Sequence, residues 1–194
     1  MKVASQNLRT GLGVGAAFIL GGAVFMIVLY LVGRFQGQRV FPLIPADQRK
    51  VSHLEMPVLS DSTLTWKMSD QAGKVVVVNY FATWCGPCME EEPELKQIYA
   101  DYSNRGVVFV AVGMDTDQDR SPGVPREKVL RQFASHYAIP FPILLPPPNL
   151  NPLEQVSIPQ TFVYDRQGRL ARWIDGGIGW QNLRASLDQL LAEK

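Results

Sequence analysis

The chain has 194 residues, 46% of them hydrophobic and 19% charged, with a formal net charge of +1 and two cysteines. At roughly 150 residues per domain, that length holds one folded domain and an appendage. The near-neutral charge leaves no footprint for nucleic acid, two cysteines are too few for a disulfide scaffold or a four-thiolate zinc site, and the apolar content excludes a disordered chain.

Charge is unevenly spread. None stands between Arg9 and Arg34, and Gly11 to Gly33 is a run of 23 residues that are apolar or Gly apart from the Tyr30 hydroxyl. As a helix this run is about 34 Å long, enough for a hydrocarbon core of about 30 Å, so it predicts a transmembrane helix over 11–33 behind a short tail, 1–10. A cleaved signal peptide has a shorter apolar region of about 7–15 residues and a small-x-small site after it. Gly33-Arg34-Phe35 offers no such site, so the run reads as an uncleaved anchor. Lys2 and Arg9 precede it, and Arg34, Arg39, Arg49 and Lys50 follow. That distribution does not favour a cytoplasmic N-terminus. Gly13, Ala17 and Gly21 recur every four residues, a stripe along which two helices can approach. Gly-rich membrane helices carry such stripes by chance, so no homodimer is expected from it.

Residues 34–50 contain Pro42 and Pro45 and show no period, which reads as a linker reaching at most about 60 Å. From 51 to 194 the pattern alternates strands and helices. Lys74 to Phe81 is a β-branched run suited to a buried central strand, and 86–103 reads as a helix with Leu95, Ile98, Tyr99 and Tyr102 on one face. Val107 to Val112 is a second buried strand. A helix over 125–137 turns Val129, Leu130 and Phe133 inward, and Phe141 to Leu145 makes a short extended piece. Thr161 to Tyr164 and Leu170 to Ile174 flank Gly168 as an antiparallel hairpin. The last helix carries Leu183, Leu187, Leu190 and Leu191. This succession predicts an α/β sandwich of three layers around a central mixed sheet.

Both cysteines lie in Trp84-Cys85-Gly86-Pro87-Cys88, where the buried strand gives way to a helix. Unpaired backbone N–H groups and the positive end of the helix dipole stabilise a thiolate there. Two intervening residues bring the second thiol within bridging reach of the first, and Pro87 fits a first helical turn. A zinc half-site would need two more ligands, and only His53 and His136 are available, at unrelated spacing; they read as ordinary residues, with no metal expected. A CxxC at a strand-to-helix junction in a βαβ pattern is a redox signal. Asp115, Asp117 and Asp119 imitate the start of a calcium loop, but Arg120 and Arg126 stand where it needs Gly and Glu. The stretch reads as a helix cap or turn.

Residues 52–194 resemble the thioredoxin superfamily, and most closely its membrane-anchored TlpA/ResA-like branch. The resemblance rests on Asn79 to Cys88, on Pro93 five residues beyond, on Ile158-Pro159 before a strand, on Gly168 in the hairpin and on Gly176 before the last helix. It implies a cis Ile158–Pro159 bond beside the cysteines, with the Ile158 backbone pairing with a substrate strand. Trp84, Ile158, Pro159 and Gly176 would line the docking surface. It also implies a thiol–disulfide oxidoreductase in which Cys85 attacks a substrate disulfide and Cys88 resolves the mixed disulfide. The Gly-Pro dipeptide matches reducing members of the superfamily. No cofactor is implied. Protein disulfides, apocytochrome c among them, would be the substrates, a membrane thiol carrier would supply electrons, and the domain would face an extracytoplasmic, periplasmic space.

One position departs from the pattern. Cytoplasmic-type thioredoxins carry an Asp six residues before the first cysteine; here it is Asn79, which cannot titrate. In the ResA-like branch a Glu three residues after the second cysteine takes a related role, and Glu91 holds that place. A partly buried carboxyl there would have a raised pKa and exchange a proton with Cys88. Glu90, Glu92 and Glu94 read as a solvated acidic first turn. Two other functions share the fold. A thiol peroxidase of peroxiredoxin type normally has a Thr three residues before its cysteine, where Ala82 stands, with Thr83 one place too close. A copper metallochaperone resembles CxxxC with a distant His, whereas this chain has CxxC.

Overall fold

The computed structural model describes residues 24–28, 39–40, 42–117, 123–147, 157–177 and 180–193. The chain divides into two compact units, Met1–Gly37 and Gln38–Lys194. In the first, residues 24–28 are helical with exposed apolar side chains. No helix among the described residues is long and apolar enough to cross a membrane. Apart from 24–28, the predicted span 11–33 lies outside the described residues, as do Gly13, Ala17 and Gly21.

The second unit is built on a six-stranded mixed sheet. Its strands are β1 (Arg39–Val40), β4 (Val75–Phe81), β5 (Val107–Gly113), β6 (Ile143–Leu144), β7 (Gln160–Tyr164) and β8 (Leu170–Asp175), in the order β1-β8-β7-β4-β5-β6. β4 runs parallel to β5 and β5 to β6, whereas β7 is antiparallel to both β4 and β8. A separate hairpin pairs β2 (Glu55–Pro57) with β3 (Thr65–Lys67). Three α-helices complete the unit: α1 (Gly86–Tyr102), α2 (Arg126–His136) and α3 (Trp180–Ala192).

The β-branched run of β4 is buried because neighbours flank it on both sides and helices need its faces; Val75 to Val78 have no exposure. Leu95, Ile98 and Tyr102 of α1 and Leu183, Leu187 and Leu190 of α3 fill the core. The two helices touch where Arg184 Nη1 lies 2.6 Å from Asp101 Oδ2. From α2, Phe133 sets its ring 5.2 Å from that of Phe81, and Leu130 packs over Gly113, where an added Cβ would come within 2.7 Å of it.

Several expectations shift. The segment 34–50 is not all linker, because β1 pairs with β8 and the following residues are tied down: Ile44 N–H donates to the Ala171 carbonyl at 2.8 Å. The guanidinium of Arg49 is buried between Asp165 Oδ2 at 3.2 Å and both oxygens of Glu193 at 2.5 and 2.8 Å. The folded unit thus starts near Gln38 rather than 51. Val129 and Leu191 are only half-buried, while Arg126 is buried and donates through Nη2 to the Pro146 carbonyl at 2.8 Å. The hairpin 160–175 forms with a register shift between Val163 and Tyr164.

Candidate redox site

The parallel strands β4 and β5 both end on the same side of the sheet, and the antiparallel strand β7 begins there, Tyr80 pairing with Gln160. The turn from β4 into α1, the residues after β5 and the residues before β7 therefore gather at one sheet end. That is where open α/β sheets present their reactive groups.

Cys85 and Cys88 form a disulfide, with Cα atoms 5.3 Å apart, and both are buried. Cys85 is the N-cap of α1: its backbone is extended and its Sγ accepts the Cys88 N–H at 3.2 Å. A helix N-terminus leaves such donors unpaired, and here one is aimed at the sulfur. Gly86 and Pro87 fill the first turn, where a missing N–H costs nothing. Trp84 stands beside the pair, 37% exposed.

Behind this turn lies a group that sequence reasoning assigned only to a cap or turn. Asp115 is buried just beyond β5, and its carboxylate accepts both the Thr83 N–H, at 3.0 Å, and the Thr83 hydroxyl, at 2.5 Å. Two residues before Cys85, the chain is thus held by a charge-assisted pair. Asp117 does cap: its Oδ1 accepts the Arg126 N–H at the start of α2, at 2.8 Å. Asp119 lies outside the described residues. Asn79 is buried in β4 and donates through Nδ2 to Thr161 Oγ1 at 3.1 Å.

Ile158–Pro159 is a cis peptide, one residue before β7, with Pro159 buried and Ile158 half-buried. Gly176 follows β8 with φ +82° and donates its N–H to the Pro159 carbonyl at 3.0 Å, so these two residues meet.

Glu91 is buried, 5% exposed, on the face of α1 that carries Cys88. The expectation of a solvated acidic first turn fails for Glu92. Helix α1 begins at Gly86, so the run falls in its second turn, and Glu92 is 7% exposed on the inward stripe. Burial pushes its carboxyl up from 4.5 to about 7, against a smaller downward pull from Lys96. Glu90 and Glu94 are exposed as expected. The signal for Glu92 was its spacing, four residues from Cys88, masked by the acidic run around it. His53 and His136 are exposed, and no group of three or more His, Cys, Asp or Glu among the described residues is placed to hold a metal ion.

The sequence profile of the AhpC/TSA family matches residues 48–172. Over 126 residues the chain is 29% identical to the thiol-disulfide oxidoreductase ResA of Geobacillus thermodenitrificans, covering 64% of this chain and 67% of that one. Over 118 residues it is 36% identical to the thioredoxin-like protein YneN of Bacillus subtilis, covering 59% and 65%. The chain thus spans about two thirds of the length of these relatives. A secreted thiol-disulfide isomerase from Corynebacterium glutamicum superposes with a TM-score of 0.65 at 18% identity, over 81% of this chain and 93% of that one. A thiol:disulfide interchange protein from Chlorobium tepidum gives 0.61 at 20% identity, over 77% and 100%. At such identities these structures establish a thioredoxin-like fold with a central mixed sheet. The chain belongs to the AhpC/TSA family and is a ResA-like thiol–disulfide oxidoreductase of the thioredoxin superfamily.

Proposed function

We propose that this chain is a membrane-anchored reductase of protein disulfides, held by residues 11–33 and working outside the cytoplasm through Cys85 and Cys88. The observation that carries the reading is the Cys85–Cys88 pair at the head of α1, with a backbone N–H already directed at Cys85 Sγ at 3.2 Å. In the reduced protein the same N–H and the helix dipole favour the Cys85 thiolate. That thiolate attacks a substrate disulfide, forming a mixed disulfide and releasing the first substrate sulfur as thiolate. Cys88, deprotonated, then attacks Cys85 Sγ, and the second substrate sulfur leaves. Two electrons pass to the substrate and the Cys85–Cys88 disulfide forms. A membrane dithiol carrier reduces it for the next cycle, so no bound cofactor is required.

Trp84, Ile158, Pro159 and Gly176 form the docking surface, with Ile158 offering its backbone to an extended substrate segment. Apocytochrome c with its paired cysteines closed to a disulfide fits this substrate class. Glu91, buried on the Cys88 face, exchanges the proton of that thiol. Thr83 is engaged by Asp115, which favours exchange over a peroxidase arrangement built around a threonine hydroxyl.

The test uses the full chain, reduced, against a protein disulfide. Cys85→Ser abolishes reduction and Cys88→Ser accumulates mixed disulfides, which also identifies the partners. An active Cys85→Ser protein, or peroxide consumption outpacing disulfide reduction, refutes the reading. Reporter fusions on either side of 11–33 decide the orientation.

A further inference from the structure

Resolution of the mixed disulfide requires a thiolate on Cys88, and Cys88 is buried, so its proton must pass to a group inside the protein or to a water admitted there. The inward stripe of α1 runs Cys88, Glu91, Glu92, Leu95, Ile98, Tyr102. Residues three and four apart share a helix face, and helical side chains lean toward the N-terminus, so a residue covers the turn before its own. Glu92, four residues after Cys88, therefore shares its buried face of the helix. Its Oε1 is buried and has no hydrogen-bond partner. A buried carboxyl oxygen left bare is a costly arrangement that stability alone does not explain.

We propose that Glu92 is a second acceptor, beside Glu91, for the proton that Cys88 gives up when the mixed disulfide resolves. The proposal rests on the exchange reading above. In the step, the Cys88 thiol gives its proton to the Glu92 carboxylate, and the Cys88 thiolate attacks Cys85 Sγ. The new S–S bond forms as the bond from Cys85 to substrate breaks, and the departing substrate thiolate takes its proton from solvent. When a donor dithiol later reduces Cys85–Cys88, the Glu92 carboxyl returns the proton to Cys88.

The surroundings suit a group that changes protonation near neutrality. Burial brings Glu92 to about 7, where both forms are populated. On its own helix it is flanked by Cys88, Glu91 and Lys96. The Lys96 ammonium, one turn on, donates to the Tyr137 carbonyl at 2.5 Å. From that facing segment Tyr137 also donates its hydroxyl to Met89 Sδ at 3.3 Å, and exposed His136 packs edge-on against the Tyr137 ring. Among the described residues Lys96 is the cation that acts on this carboxyl, and, already engaged, it moderates the burial without fixing the carboxyl as an ion.

The experiment follows single-turnover resolution in the full chain. A mixed disulfide between Cys85 and a chromogenic aryl thiol is formed, and thiol release is timed from about pH 5 to about pH 9. The wild-type rate rises through an inflection near pH 7. Glu92→Gln loses that inflection and resolves at least about tenfold more slowly at about pH 8, and Glu92→Asp recovers part of the rate. A Glu92→Gln protein that retains the inflection and resolves within about twofold of wild type overturns the proposal. Carboxyl NMR of the unmodified sequence gives a second test that needs no variant: the Glu92 midpoint differs between oxidised and reduced protein. Equal midpoints overturn the proposal. An active Cys85→Ser protein, by contrast, fails the exchange reading itself.

Discussion

The sharpest consequence of the buried carboxyl is that removing it makes the protein more stable, and only above a certain pH. Glu92 is raised from 4.5 to about 7 by burial, so the folded state holds a proton that the unfolded chain releases between those values. Stability contributed by the neutral form is complete below about 4.5 and is lost as pH rises through about 7. The rise from 4.5 to about 7 corresponds to about 3 kcal/mol. Glu92→Gln stays neutral at every pH and escapes this loss. Its amide brings donors into a site where Oε1 already lacks a partner, which costs about 1 kcal/mol. The net gain at about pH 8 is then about 2 kcal/mol, or about 4–8 °C in Tm for a domain of this size, against no gain at about pH 4. Calorimetry on the oxidised full chain measures it, since the disulfide keeps Cys88 from titrating. A Tm difference that is the same at both pH values, or a loss at the higher one, would refute the reasoning.

Other outcomes test other parts of the fold. Arg49→Met removes a guanidinium buried against Asp165 and Glu193. Because Asp165 keeps Arg169 Nε at 2.9 Å and Glu193 is partly exposed, the expected cost is about 2 kcal/mol, read from urea midpoints. Both carboxyls are held below their ordinary values: for Glu193 the Arg49 hydrogen bond leads, and for Asp165 burial opposes but the hydrogen bonds outweigh it. The Arg49 contribution is therefore present above about pH 4.5 and fades in acid. Asp115→Ala strips the acceptor from the Thr83 N–H and hydroxyl, destabilising by about 2–4 kcal/mol, and slows disulfide reduction at a temperature where the variant remains folded. Gly113→Ala drives a Cβ into fully buried Leu130 and costs about 1–3 kcal/mol, measured by chemical denaturation.

What could be read from the sequence follows from how local each signal is. β4, β5 and the three helices announce themselves through apolar runs or helical spacing, and the redox pair through CxxC at a strand-to-helix junction. Segment 39–50 has no period because tertiary partners hold it: Ile44 to Ala171, and Arg49 to residues 116 and 144 positions away. Strands β2 and β3 have three residues each, too few for alternation to register. Asp115 is invisible for the same reason, its partner Thr83 being 32 positions distant. Glu92 is a different failure. In an acidic run, composition suggested a solvated face, but the phase of the helix, counted from Cys88, decides which carboxyls turn inward.

That phase also explains where this protein can keep its proton chemistry. The strand beneath the cysteines offers Asn79, which does not titrate and is locked to Thr161 at 3.1 Å. In the proposed mechanism the acceptors must then come from elsewhere, and α1 itself supplies two, Glu91 and Glu92, on the stripe that begins at Cys88. A carboxyl on the sheet would keep its distance to Cys88 only while helix and sheet stayed fixed as a substrate docks. Carboxyls one turn along the same helix keep that distance through the backbone hydrogen bonds of the helix alone. The arrangement exchanges stability near neutral pH, lost through a buried acid, for an acceptor whose geometry is independent of what binds at Trp84 and Ile158. Such an exchange is the usual relation between an active-site group and the fold that carries it.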